Sequence, residues 1–319
     1  SDVCSSDLAK VVLTDYVWES LDVEKKTLEG LADLVPLQTK KPDEFIAQAA
    51  DCDALLNTYA GPITAGDMAK MPKCKIIARY GIGVDTIDLE AATKAGIIVT
   101  NNPTYCIEEV AEHAMALLLA CARKVAFYDR MVRAGTWAVP PGKPMFRLAE
   151  STLGLVGFGN IAREVAVRAA AFGMRVVHHT RTPGGEAGWR TRDALLAEAD
   201  VVSLHVPLNA ESAGMIDAQA LARMKPGAWL INLSRGPVVD EPALIGALAT
   251  EAFYIGALGS RRNQERRRER LLEAGVAEES LDRIMGPSGL DIGADTQEET
   301  ALSILAEILR SEEHTSELQ

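Results

Sequence analysis

The chain has 319 residues, 48% hydrophobic and 24% charged, which suits about two folded domains and excludes wholesale disorder. A net charge of −12 argues against a nucleic-acid partner, and the longest apolar stretch, Ala114 to Ala122, is too short to span a bilayer, so no membrane partner is expected. No signal-peptide pattern precedes the first strand, and the five cysteines show no CxxC or metal-ligand spacing, so a cytoplasmic protein with reduced thiols and no metal is expected.

Residues 1–8 and 310–319 have no hydrophobic period, and the genetic code links them. SDVCSSDL can be encoded by an oligonucleotide whose reverse complement encodes RSEEHTSE, as translated sequencing-library adapter would be, so both tails are excluded from the fold. Between them, Lys10–Asp15 opens as a strand, and Ala54–Asn57, Lys75–Ala78 and Ile97–Val99 are further β-type runs. Helical patterns at Asp43–Ala50 and Asp88–Ala95 fall between them, and a long apolar helix is expected over Glu108–Val125 before loop signals at Gly135 and Pro140. A second series begins at Ser151, with strands at Thr152–Val156, Arg175–His178, Val201–His205 and Ala228–Leu233. Helices are expected at Asn160–Phe172, Arg192–Ala199, Asp217–Met224 and Pro242–Leu248. The alternation predicts an α/β protein of two Rossmann-like, doubly wound parallel-sheet lobes with a cleft between them.

Gly157-Phe158-Gly159-Asn160-Ile161-Ala162 follows a predicted strand and opens a predicted helix, the context in which GxGxx(G/A) marks dinucleotide binding. Gly157 permits the tight turn, Gly159 admits a pyrophosphate, and Ala162 allows close helix–strand packing, while the helix N-terminus offers free N–H groups. The alternative reading is a merely tight βα turn. At the end of the next strand Thr180 stands where NAD sites carry an acid, and Arg181 follows it. An arginine there suits a 2′-phosphate, so the expected cofactor is NAD(P), with NADP slightly favoured over NAD. His205-Val206-Pro207 is expected against the cofactor in a packing or hydrogen-bonding role, as are Leu233 and Ser234. Gly236 and Pro237 end the strand there and project Arg235, whose guanidinium can clamp a carboxylate and polarise the adjacent carbonyl; a surface salt bridge is the alternative.

Together with Arg79-Tyr-Gly-Ile-Gly-Val-Asp85, Asn101-Asn-Pro103 and Glu109-Val-Ala-Glu-His113, these motifs resemble the D-2-hydroxyacid dehydrogenase family over about Lys10–Leu248. Tyr105–Val110 is most similar to the branch with C-terminal-binding-protein-like and phosphoglycerate-dehydrogenase-like members. The resemblance implies hydride transfer between a nicotinamide and C2 of a small 2-hydroxy or 2-keto acid, in a homodimer. It implies a substrate carboxylate on the backbone amides of Gly81, Ile82 and Gly83, and Arg235 as the catalytic arginine. It also implies a proton-transferring His held by a Glu, and the sequence departs from the family there. Downstream of His205 the only histidine is His314, and Pro287-Ser288 falls roughly where a Pro-His loop is expected.

From about Glu251 to Leu309, Phe253–Arg262, Gly289–Gly293 and Glu298–Glu307 resemble the end of the xanthine dehydrogenase accessory proteins, which handle the molybdenum cofactor. A joint inside Asp240–Leu248, a stretch acceptable to both families, accounts for the change. The expected organisation is a substrate domain at 9–105, a nucleotide domain at 106–290 with 251–309 replaced, and a C-terminal helix at 291–309. Competing functions are an NAD(P)-dependent dehydrogenase with truncated proton-transfer machinery, a non-catalytic NAD(P)H-responsive binding module, and a fragment of a molybdenum-cofactor maturation factor. The arginine-rich run Arg261–Arg270, with interspersed Glu265 and Glu269 and no aromatics, reads as a solvated helix face.

Overall fold

A computed structural model describes residues 8–142, 145–240, 242–243, 255–256, 268–273, 275, 278–281 and 284–285. The chain divides into two units, one ending at Tyr105 and one beginning at Cys106.

The first unit runs β1 (Ala9–Leu13), α1 (Asp22–Leu28), β2 (Ala32–Pro36), α2 (Pro42–Ala49), β3 (Ala54–Asn57), α3 (Ala65–Met68), β4 (Ile76–Arg79), α4 (Leu89–Ala95) and β5 (Ile98–Thr100). Its five strands are parallel in the order β2-β1-β3-β4-β5, a doubly wound sheet whose order reverses at β1 and β3. The core gathers Val12 from β1, Phe45, Ile46 and Ala49 from α2, Leu55 from β3 and Ile77 from β4. Helix α2 buries Phe45, Ile46 and Ala49, positions that share one face at helical spacing. The expected strands and helices of this unit are present within a residue or two, whereas α1, β2 and α3 carry too weak a pattern to have been anticipated. Register also pairs two cysteines that spacing left apart. Cys52 and Cys74 each lie two residues before register partners, Ala54 and Ile76, so the register sets these two buried cysteines side by side.

The second unit continues α5 (Ile107–Arg123), α6 (Val125–Arg133), β6 (Thr152–Val156), α7 (Asn160–Ala171), β7 (Arg175–His179), α8 (Arg192–Glu198), β8 (Val201–Leu204), α9 (Ala218–Arg223) and β9 (Trp229–Asn232). The long helix expected to reach Val125 stops at Arg123, because Lys124 adopts a left-handed conformation with φ 54°. A second helix, α6, follows before the loop signals at Gly135 and Pro140, in a stretch to which no element was assigned. Strands β7-β6-β8-β9 form a parallel sheet in that order. Every residue of β6 is buried, as helices on both faces require. Leu155 joins the face covered by α5 and α7, and its neighbour Val156 joins the face packed by Leu195 and Leu196 of α8. Beyond Asp240, a parallel pair joins β10 (Ile255–Gly256) to β11 (Ile284–Met285), with α10 (Glu278–Leu281) before the latter. The expected helix Thr296–Leu309, most of Pro242–Leu248 and the tail 310–319 lie outside the described residues.

Candidate active site

In the second unit the sheet order reverses between β6 and β8, and the candidate residues collect at the carboxyl ends of its strands. The chain leaves β6 through Gly157, whose φ is 90° and where an added Cβ would lie 2.7 Å from the His205 carbonyl oxygen. Only glycine meets both conditions. At Gly159 an added Cβ would meet nothing within 4 Å, so the space beside this backbone is open. Gly159 caps α7 in an extended conformation without a side-chain hydrogen bond to the helix. The first amides of α7, from Asn160, Ile161 and Ala162, therefore keep their donors for a ligand, with the positive end of the helix dipole behind them. Ala162 is fully buried against the sheet.

The Phe158 ring stacks on His178 at 4.0 Å, and the Arg163 guanidinium lies 4.5 Å from its centroid. Its side chain is thus occupied by protein. At the end of β7, Thr180 Oγ1 donates to the Thr182 carbonyl, and Arg181 pairs with Glu211 at 2.7 Å. After β8, His205 Nε2 and Ser203 Oγ share a hydrogen bond of 2.9 Å, Val206 packs on the core, and the Pro207 carbonyl accepts from Ser212 Oγ at 2.6 Å. After β9, Leu233 packs on the other core cluster, and Ser234 donates its amide to Asn232 Oδ1. Ser234 Oγ is buried and has no hydrogen-bond partner among the described residues. Next to it Arg235 is exposed, its carbonyl held by Asn232 Nδ2 at 3.0 Å.

Burial pushes the His205 imidazole down to about 4, so it is neutral at pH 7 and suited to a fixed hydrogen bond rather than to proton exchange. Its folded pKa lies below the ordinary 6.5, so the stability it confers is present above about pH 6.5 and is lost as pH falls toward 4. Urea unfolding midpoints are expected to drop across that window, and His205→Gln is expected to flatten the drop. An unchanged slope in the variant would show that His205 does not carry it.

The glycine loop of the first unit follows β4. The Gly81 carbonyl accepts from the Asn102 amide at 3.2 Å, that of Ile82 from Asn101 Nδ2 at 2.8 Å, and that of Gly83 from Arg79 Nε at 2.9 Å. All three carbonyls are held by protein, while no described group accepts from the three amides. Such a row of unengaged N–H groups is a receptor for an anion. Arg79 Nη1 also donates to Asn57 Oδ1 at 3.0 Å, and Asn57 Nδ2 to the Ala60 carbonyl at 2.8 Å. The buried Asp15 carboxylate accepts from the amides of Tyr59 and Ala60, which fixes the loop after β3 beside it. Asp15, Asn57 and Glu211 escaped sequence reasoning, since none belongs to a motif that announces its partner. Among the described residues, no helix is long and apolar enough to cross a membrane.

The fold and the turn after β6 define a dinucleotide-binding α/β protein, and comparison with known proteins narrows the class. Residues 115–273 match the family described as D-isomer specific 2-hydroxyacid dehydrogenase, NAD binding domain. The match runs beyond Leu248, where the resemblance to this family was expected to end. A glyoxylate reductase of Korarchaeum cryptofilum is 43% identical over 67% of this chain and 67% of its own length. A D-3-phosphoglycerate dehydrogenase of Mycobacterium leprae is 39% identical over 79% of this chain, which spans 48% of that relative's length. Among solved structures, the D-lactate dehydrogenase of Aquifex aeolicus, complexed with NAD and lactic acid, superposes with a TM-score of 0.75 at 26% identity, over 97% of this chain and 95% of that one. The chain belongs to the D-isomer specific 2-hydroxyacid dehydrogenase family, whose members are NAD-dependent oxidoreductases acting on CH–OH donors.

Proposed function

We propose that the chain binds NAD(P)H, with NADPH favoured, and reduces a small 2-keto acid of glyoxylate size with slow turnover. The observation that carries this reading is the open space beside Gly159 at the uncapped start of α7, in a chain of this family. The pyrophosphate is assigned to the amides of the Gly157–Ala162 turn. Thr180 and Arg181 are assigned to the adenosine ribose, and His205–Pro207, Leu233 and Ser234 to the remainder of the dinucleotide. The nicotinamide, when bound, supplies the hydride for C2 of the substrate. The Gly81, Ile82 and Gly83 amides take the substrate carboxylate, and the Arg235 guanidinium binds the 2-oxo group, where negative charge develops as the hydride arrives.

Slow turnover follows from the proton. The oxygen formed at C2 must be protonated, and the sequence places no histidine between His205 and His314. A missing general acid costs typically about 10²–10⁴-fold in rate. The same absence supports a second reading, a non-catalytic module that responds to NAD(P)H by changing its affinity for a protein partner. We place a joint between two gene segments within Asp240–Leu248; a single-molecule sequencing read of the source DNA across the codons for Asp240 to Ala257 tests it. A homodimer is also proposed; it is supported by Trp137, 90% exposed, near the exposed Val132 and Val139. Sedimentation at micromolar concentration checks it, and a monomer contradicts it. For the function itself, NADPH consumption with glyoxylate is compared with NADPH binding in the same preparation. Binding with slow consumption supports the dehydrogenase, and binding with none supports the module.

A further inference from the structure

The adenosine end assigned above contains a charge arrangement that the glycine motif does not explain. Strand β7 ends without an acid, since Thr180 stands there and its hydroxyl is engaged with the Thr182 carbonyl at 2.8 Å. A carboxylate nevertheless reaches the place from another loop, where Glu211 Oε2 lies 2.7 Å from Arg181 Nη1. The backbone that presents Glu211 is held firmly. Asn209 Oδ1 accepts from the Glu211 amide at 2.9 Å and from the Ser212 amide at 3.1 Å, and Ser212 Oγ ties the same loop to the Pro207 carbonyl. Glu186, in the loop after β7, is taken up by Arg163 at 2.9 Å and lies 3.6 Å from His178. Among the described residues, Glu211 is thus the carboxylate paired with Arg181.

We propose that Arg181 and Glu211 act together as a reader of the ribose 2′ position, so that the site accepts both nicotinamide cofactors. With NADH, the Glu211 carboxylate accepts a hydrogen bond from the 2′-hydroxyl, the task an acid at the end of β7 performs in NAD sites. With NADPH, the Arg181 guanidinium pairs with the 2′-phosphate, and Glu211 is displaced by like-charge repulsion. The pair suits this exchange because it is exposed, at 80% for the Arg181 side chain and 67% for that of Glu211. An ion pair so open to water binds its partners weakly, and either can be given up to a ligand. Glu211 is therefore a specificity-determining residue, and its charge opposes NADPH while it favours NADH.

The inference rests on nucleotide binding at the Gly157 turn, and its test separates the two. Dissociation constants for NADH and NADPH are measured by fluorescence titration of the full chain, wild type, Glu211→Gln and Arg181→Gln. Glu211→Gln is expected to shift the NADPH-to-NADH preference by about tenfold toward NADPH, through tighter NADPH and weaker NADH. Arg181→Gln is expected to weaken NADPH by about tenfold and leave NADH within about twofold. Wild-type binding with an unshifted preference in Glu211→Gln overturns the reader. Failure of the wild type to bind either nucleotide overturns the dinucleotide site itself, and the reader with it.

Discussion

Glycine to valine at position 159 is expected to abolish saturable NADPH binding while the protein remains folded. The argument rests on where the new side chain goes. An added Cβ at Gly159 meets nothing within 4 Å, and the backbone there is extended, at φ −80° and ψ −167°, so any residue is tolerated. A surface substitution of this kind typically changes stability by about 0.5 kcal/mol or less. The branched side chain instead fills the space through which a pyrophosphate reaches the amides of α7, and the dissociation constant is expected to rise by about 10²-fold or more. Gly157→Ala provides the contrast. Its methyl would sit 2.7 Å from the His205 carbonyl oxygen at a φ of 90°, so both folding and binding should suffer. Left-handed strain alone costs about 1–3 kcal/mol. Titration of NADPH beside urea unfolding separates the two variants. Retained NADPH affinity in Gly159→Val would place the nucleotide elsewhere.

Arg235→Gln is expected to weaken binding of a 2-keto acid analogue such as oxamate to the NADH complex by about 10²-fold, because two charge-assisted hydrogen bonds are removed together. NADH affinity should stay within about twofold, since the backbone that carries Arg235 is held by Asn232 and by the turn Gly236–Val238, neither of which needs the side chain. Arg235→Lys retains the charge without the planar fork, and an intermediate loss is expected. Calorimetry of oxamate against the preformed NADH complex measures both. Equal oxamate affinity in wild type and Arg235→Gln would remove Arg235 from the substrate site.

The parts that were legible in the sequence are those in which one short segment carries the whole physical reason. Buried strands such as Thr152–Val156 read as short, mostly apolar runs, and the glycine turn names its own geometry at Gly157, where the structure leaves no room for a Cβ. Gly81–Gly83 enter only through resemblance, because loop amides carry no periodic signal, whereas the reading of Arg235 rests on the Gly236-Pro237 turn that follows it. What stayed hidden depends on contacts between distant segments. Strand β2 is half-polar and gains its place only by pairing with β1, from Ala9 with Ala32 to Leu13 with Pro36. The break after Arg123 arises from one left-handed residue, Lys124, inside a continuous helical pattern. Cys52 meets Cys74 through the register of β3 on β4, and Glu211 meets Arg181 across thirty residues, so no local spacing could reveal either pair.

The most direct measurement follows NADPH fluorescence on the full chain, first in titration and then after addition of glyoxylate. Saturable binding is predicted, followed by formation of the 2-hydroxy acid at about 10⁻³–10⁻¹ per second, a typical enzymatic rate lowered by the missing proton donor. Absence of saturable NADPH or NADH binding would contradict the account at its root.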